Sequence, residues 1–179
     1  MAPFVSEGGN GLSMIVRLAQ ANDAEAIRAI YNLEVLESTV TFDLVPRTHD
    51  DQRAWLAAHS GAHPAIVAVD DGTAGGGEIV GFGSLSPYKD RAAYSTTVED
   101  SVYVHRDRRG TGVGRLLLDE LLGLATTHGF HAVIARIVGD HDASIALHER
   151  CGFTPVGIEK EVGRKFGRWL DVVELQRLL

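Results

Sequence analysis

The stretch spanning residues 98–127, VEDSVYVHRDRRGTGVGRLLLDELLGLATT, restricts the possible folds of this chain more than any other. A short β-favouring run, Val102-Tyr103-Val104, predicts a strand. Arg106, Arg108 and Arg109 follow, then glycines alternating at Gly110, Gly112 and Gly114, then a leucine-rich helix over 114–127. Glycine permits positive φ and lets a ligand approach the backbone closely. Successive N–H groups at a helix start form an anion site, and arginines beside it add charge-assisted hydrogen bonds to phosphate. The order of these parts reads as a diphosphate cradle fed by a strand. The competing reading is a glycine-rich loop that caps a core strand. The lysine of a nucleoside-triphosphatase phosphate loop is missing. The glycines read GxGxG rather than GxGxxG, and no acidic residue follows a next strand, so a dinucleotide-binding fold fits poorly.

The chain has 179 residues, enough for one domain with one sizeable core. Its formal charge of −7 argues against nucleic-acid or anionic-membrane partners, which leaves the arginines near Gly110 as a local positive site. The single cysteine, Cys151, excludes an intramolecular disulfide and sits in an apolar setting that suits packing. No apolar run reaches the roughly 18–20 residues a membrane span needs. Residues 1–13, MAPFVSEGGNGLS, lack a secretory signal's pattern and read as a loose extension, with Met14 as an alternative start. The expectation is a cytoplasmic protein, with residues 14–179 as its domain.

Along the chain, residues 15–18 read as a first strand. Asn22 or Asp23 can cap a helix over 24–37, where Ile27, Ile30, Tyr31 and Val35 recur at helical spacing. Residues 38–42 are β-favouring, and Pro46 ends that run. Thr48 and Asp51 form an approximate capping box for a helix over 50–59. Residues 65–69 and 78–85 read as an antiparallel hairpin with a glycine-rich connection at 70–77. A polar loop over 86–94 precedes the central strand, 98–104. If that strand has no bulge, Glu99, Ser101 and Tyr103 share one face and Val98, Asp100, Val102 and Val104 the other. Gly129 suits the cap of the third helix. Residues 132–138 form a mostly apolar strand, and Asp142 caps a fourth helix, 143–150, ended by Gly152. Residues 154–158 and 169–175 close the sheet as a hairpin whose connection contains Gly163 and Gly167. The fold expected is one α/β layer structure with a mostly antiparallel, twisted mixed sheet flanked by helices. The strand–helix–strand unit over 98–138 supplies its parallel pair.

The run Arg109-Gly110-Thr111-Gly112-Val113-Gly114 matches the Gln/Arg-x-x-Gly-x-Gly/Ala signature of the GCN5-related N-acetyltransferases (GNAT). Residues 97–104 (TVEDSVYV), 144–153 (SIALHERCGF) and 165–172 (KFGRWLDV) resemble the phosphinothricin and methionine sulfoximine or sulfone acetyltransferase subgroup, and the likeness covers about 15–176. The resemblance implies acetyl-CoA as co-substrate and no metal. It implies contacts to acetyl-CoA from Val102, Tyr103, Val104, Arg109, Gly110, Thr111, Gly112, Val113, Gly114, Arg115, His141 and Ser144. The thioester would lie in a gap where the strands flanking the third helix splay. His141 stands where the family often has asparagine, so that contact differs in size and charge. The resemblance also implies a homodimer, a small amino-acid-like amine as acceptor, and a role in antibiotic or herbicide resistance.

Acetyl transfer to an amine requires loss of a proton from the ammonium, polarisation of the thioester carbonyl and stabilisation of the departing thiolate. No Ser-His-Asp or Cys-His pattern argues for a covalent intermediate. Glu99 is the candidate general base, since a partly desolvated carboxylate has a raised pKa; the subgroup's glutamate has this role. His148 stands where many family members carry a tyrosine serving the thiol, and imidazole can give or take a proton near neutral pH. By resemblance, the Val104 N–H donates to the thioester carbonyl. The resemblance makes Phe42, Lys89, Arg91 and Tyr94 the candidate acceptor contacts. A cation suits an acceptor's carboxylate, phosphinate or sulfone oxygen, whereas Phe42 is equally suited to packing. Two rival readings stay open: another amine or a peptide N-terminus as acceptor, and a non-catalytic acyl-CoA-binding module, against which Glu99 and His148 argue.

Overall fold

The computed structural model describes residues 4–7, 13–72 and 77–179. The strands among them are β1 (Phe4–Glu7), β2 (Ser13–Leu18), β3 (Ala65–Asp70), β4 (Glu78–Pro87), β5 (Thr97–Val104), β6 (Ala132–Val138), β7 (Thr154–Lys165) and β8 (Arg168–Leu178). They form one sheet in the order β1-β2-β3-β4-β5-β6-β8-β7. Every neighbouring pair is antiparallel except β5–β6, which is parallel over only three register pairs, the last being Glu99↔Ile134. Beyond Glu99 the two strands separate, as the resemblance implies. The helices are α1 (Ala24–Glu37), α2 (His49–Ala58), α3 (Val113–Thr127) and α4 (Asp142–Arg150).

Alternation along the strands divides the core between the two faces of the sheet. Ile66 and Ala68 of β3 pack with Leu117, Leu118 and Leu121 of α3. Val67 and Val69 pack with Ile27, Ile30 and Tyr31 of α1. All six residues of β3 are buried, as expected of a strand covered on both faces. The helix α3 closes with Gly129 at φ 78, whose N–H bonds Thr126 O while the Phe130 N–H bonds Ala125 O. That pair of bonds is a Schellman motif, which satisfies the last carbonyls of the helix.

Several local expectations change. Residues 38–42 form no strand, because their polar groups are engaged by α1 and by Lys165 of β7. Ser38 N–H and Oγ both bond Glu34 O, Thr41 Oγ1 meets Tyr31 Oη at 2.8 Å, and Thr41 O accepts from Lys165 Nζ at 2.8 Å. Asp23 precedes α1, but its carboxylate turns to Gln20 N and Arg17. The box at Thr48 and Asp51 is present, with α2 beginning at His49. His141, not Asp142, is the N-cap of α4. The closing hairpin is longer than its sequence suggests, and Gly163 lies inside β7. The turn is Phe166-Gly167, at φ 48 and 74, closed by Lys165↔Arg168. Both central residues take positive φ, the signature of a tight primed hairpin turn. Phe4–Glu7, inside the expected loose extension, pairs with β2. The rest of 1–12 and the glycines Gly75 and Gly76 of the β3–β4 connection lie outside the described residues.

Candidate active site

The separation of β5 from β6 opens a cavity of about 590 Å³ through the sheet. Its wall takes Asp100, Val102 and Val104 from one face of β5 and Ser101 and Tyr103 from the other. Ala135, Arg136, Ile137 and Val138 line it from β6, and His141, Ser144, Leu147, His148 and Arg150 from α4 and its approach. The His105 N–H bonds Val80 O on β4. Alternation then turns the N–H groups of Val102 and Val104 to the opposite edge, into the gap. Val104 therefore meets the directional requirement for a carbonyl donor.

At the outer end, the glycine corner turns into α3. Gly110 has φ 74 and Gly112, the N-cap, φ 93. No heavy atom lies within 4 Å of a Cβ built at either, so the backbone there is open to solvent. The first bond of α3 runs from Leu116 N to Gly112 O. The N–H groups of Val113, Gly114 and Arg115 accordingly have no acceptor within the helix. Gly114 is glycine for another reason: a Cβ would lie 3.1 Å from Leu147 Cδ2. Val113 buries its side chain in the core, and Thr111 Oγ1 ties the loop to Arg108 O at 2.6 Å. Open glycine backbone, free helix-start N–H groups and a cavity leading inward fit a diphosphate with an extended arm.

The basic cluster departs from expectation. Arg109 lines the cavity, yet its Nη2 donates to buried Glu34 Oε1 at 2.8 Å, and Arg106 Nε donates to the same oxygen at 3.0 Å. Arg108 lies 3.1 Å from Asp70 Oδ2 and 3.3 Å from Glu78 Oε2. Arg115 is paired with Asp119. Carboxylates, those of Glu34, Asp70 and Glu78 from distant segments, thus offset the local positive site, and what the corner presents to an anion is chiefly backbone. His141 lines the cavity between these elements; burial, then the Arg109 charge, holds its pKa below the usual histidine range.

Glu99 stands at the apex of the gap, on its last register pair, and is not itself part of the cavity wall. Burial raises its pKa; Arg136 opposes that rise, and Asp100, Glu174 and Glu159 reinforce it. Arg136 is paired with Glu159 and lies opposite Glu174, which accepts from Tyr88 Oη at 2.9 Å. On the other face, His148 Nε2 meets Asp100 Oδ2 at 3.0 Å and Nδ1 meets Ser144 O at 2.8 Å. Both nitrogens of His148 are therefore engaged.

The structure does not unite the expected acceptor contacts. Lys89, Arg91 and Tyr94 line a second hollow of about 340 Å³, together with His63 and Thr97. The Lys89 ammonium sits over the Tyr88 ring at 4.4 Å and the Tyr94 ring at 5.4 Å. Phe42 lines neither space; a Cβ built at Gly163 would lie 2.3 Å from its Cε2, so the ring packs on β7. Sequence reasoning missed Glu34, Arg136 and Arg150. Arg136 carried a visible signal, as the one charged residue in AVIARIV. Asp100 was placed on the apolar face of its strand but given no role. Among the described residues, no group of three or more His, Cys, Asp or Glu is placed to hold a metal ion.

The model of the acetyltransferase (GNAT) family matches residues 27–153. The phosphinothricin N-acetyltransferase of Streptomyces coelicolor is 39% identical over 92% of this chain and 95% of its own. The L-methionine sulfoximine/L-methionine sulfone acetyltransferase of Pseudomonas paraeruginosa is 37% identical over 92% and 94%. A solved phosphinothricin acetyltransferase of Sinorhizobium meliloti, in complex with acetyl-CoA, superposes with a TM-score of 0.87 at 38% identity, over 93% of this chain and 88% of that one.

Proposed function

From the premise that this chain belongs to the GNAT acetyltransferase family and is an acetyl-CoA-dependent N-acetyltransferase, we propose that its acceptor is a small amino-acid-like amine. Phosphinothricin, methionine sulfoximine and methionine sulfone are the specific candidates, after the relatives that carry those names. The observation that carries this reading is the juxtaposition of a half-buried carboxylate, Glu99 on β5, with the charge of Arg136 on β6, which acts on it where the two strands part. An amino acid offers an ammonium to a carboxylate and an acid group to a guanidinium.

Acetyl-CoA supplies the acetyl group as a thioester. The N–H groups of Gly112, Val113, Gly114 and Arg115 hold its diphosphate, with Gly110 and Thr111 shaping the loop. Val102, Tyr103, His141 and Ser144 wall its arm, and the Val104 N–H faces the thioester carbonyl. Glu99, with its raised pKa, takes the proton from the acceptor's ammonium. Arg109 contributes by holding the corner to Glu34 rather than as a free charge. Lys89, Arg91 and Tyr94 form the outer approach for the acceptor, and Phe42 is a packing residue at the rim.

The protein works in the cytoplasm as one domain over residues 14–179, and it confers resistance to such amino-acid analogues. Among the described residues no helix is long and apolar enough to cross a membrane. It acts as a homodimer through β7, an edge strand exposing Val156, Ile158 and Val162, together with Trp169 of β8 at 60% exposure. A monomeric mass by sedimentation at micromolar concentration would contradict the dimer. Thiol release across amino-acid analogues, free amino acids and short peptides tests the acceptor class. Turnover confined to peptides would overturn it, and acetyl-CoA binding without turnover on any amine would leave a binding module.

A further inference from the structure

The ring of His148 is enclosed by two acceptors. Ser144 O is a carbonyl and can only accept, so Nδ1 carries a hydrogen. The partner of Nε2 is Asp100 Oδ2 at 3.0 Å. The side chains are 4% and 1% exposed, so the pair is dry. The other Asp100 oxygen, Oδ1, is buried with no hydrogen-bond partner, while Asp100 and His148 both line the main cavity. A buried carboxylate with a free oxygen is costly unless a neighbouring charge compensates it.

We propose that Asp100 is a positioning residue that keeps a proton on Nε2 of His148, so that the histidine enters catalysis as a charged, proton-holding group and Glu99 is the sole base. Glu99 and His148 were both eligible for deprotonating the ammonium from sequence alone. An imidazolium with both nitrogens donating has no lone pair with which to accept. Within the neutral ion pair, the imidazolium ring instead presents positive charge to the cavity that both residues line, where negative charge on a departing thiolate is to be offset. The groups acting on the ring are few. They are Asp100 from β5, the Ser144 carbonyl from α4, and Phe153, whose ring meets it edge-on at 5.0 Å. Burial opposes the imidazolium, but the Asp100 hydrogen bond and charge outweigh it and raise the pKa. Burial pushes the pKa of the Cys151 thiol up, and the Asp100 charge adds to that rise.

Only the kinetic half of the test rests on the acetyl-transfer reading. Nitrogen-15 NMR of the histidine ring in the wild-type protein reads the protons directly, with His148→Asn for assignment. The expected result is two protonated ring nitrogens at pH 7, and in Asp100→Asn a neutral ring protonated at Nδ1 alone. In turnover, Asp100→Asn leaves acetyl-CoA affinity within about twofold and lowers kcat by about tenfold or more, with the alkaline limb moved to lower pH. A wild-type ring singly protonated at pH 7 overturns the proposal. So does a variant whose ring titration and pH profile match wild type. If Asp100→Asn does not fold, the wild-type spectrum still decides. If no amine is turned over, the functional reading fails while the ring protons continue to test the pair.

Discussion

Glu99 and Asp100 are adjacent on β5, yet the pleat sends them to opposite faces of the sheet. Asp100 is sealed against His148. Glu99 remains half-buried among charges of both signs, Arg136, Glu174 and Glu159. On the proposed reading, the same chemical group is a counter-charge on one side and a proton acceptor on the other. What differs is the elements that strand alternation brings to each. Two carboxylates whose environments separate their tasks are a recurring way of dividing acid and base work.

The sharpest way to break this contrast is Glu99→Gln, which keeps the shape and removes the base. Turnover should fall by roughly 10²–10⁴-fold with acetyl-CoA affinity unchanged. A steady-state assay beside calorimetric titration checks both, and an active variant would return the base role to another group.

Next in size is the glycine corner at the start of α3. Gly112→Val places a β-branched residue at φ 93, which costs about 1–3 kcal/mol of strain and obstructs the cradle. Acetyl-CoA affinity should drop clearly more than in Arg109→Ala, because the Arg109 guanidinium already faces Glu34. The opposite ranking in titration calorimetry would make the cradle a side-chain site.

A smaller effect tests the wet side. Arg136 holds the Glu99 pKa down against burial, so Arg136→Met should move the acid limb of the pH–rate profile to higher pH. The limb lies above the ordinary glutamate value of about 4.3 in wild type. An unmoved limb would remove Arg136 from the neighbourhood of the base.

The smallest effect is on stability, on the dry side. The pKa of His148 is raised in the folded protein. Its stabilisation is then fully present below the ordinary value of about 6.5 and is lost as pH rises through the raised one. Between these values, thermal unfolding of wild type should fall with pH more steeply than that of Asp100→Asn. Parallel curves would mean that the pair contributes no such linkage.

Which parts were legible follows from the range of the interactions. Helix α1 over 24–37, the corner at Gly110 to Gly114 and the alternation of β5 depend on neighbours in sequence, and each could be read from it. The partners of the arginines could not: Glu34 lies 72 positions from Arg106 and 75 from Arg109. A charge count near Gly110 therefore overstated the positive site. The hairpin β7–β8 was underestimated because an exposed edge strand shows no clean alternation, and Glu161 at φ 52 sits where its register slips. Lys89 and Arg91 were legible as loop cations, but only the packing of Tyr88 and Tyr94 puts them in a separate hollow.

The central claim is that main-chain N–H groups at the start of α3 hold the diphosphate, so that the cavity between β5 and β6 leads its arm to the level of Glu99 and Asp100. A crystal structure of the acetyl-CoA complex tests it most directly. The account predicts phosphate oxygens within hydrogen-bond reach of the N–H groups of Gly112, Gly114 and Arg115, and the acetyl group between β5 and β6. A diphosphate bound by the Lys89 and Arg91 hollow, with the gap left to solvent, would contradict it.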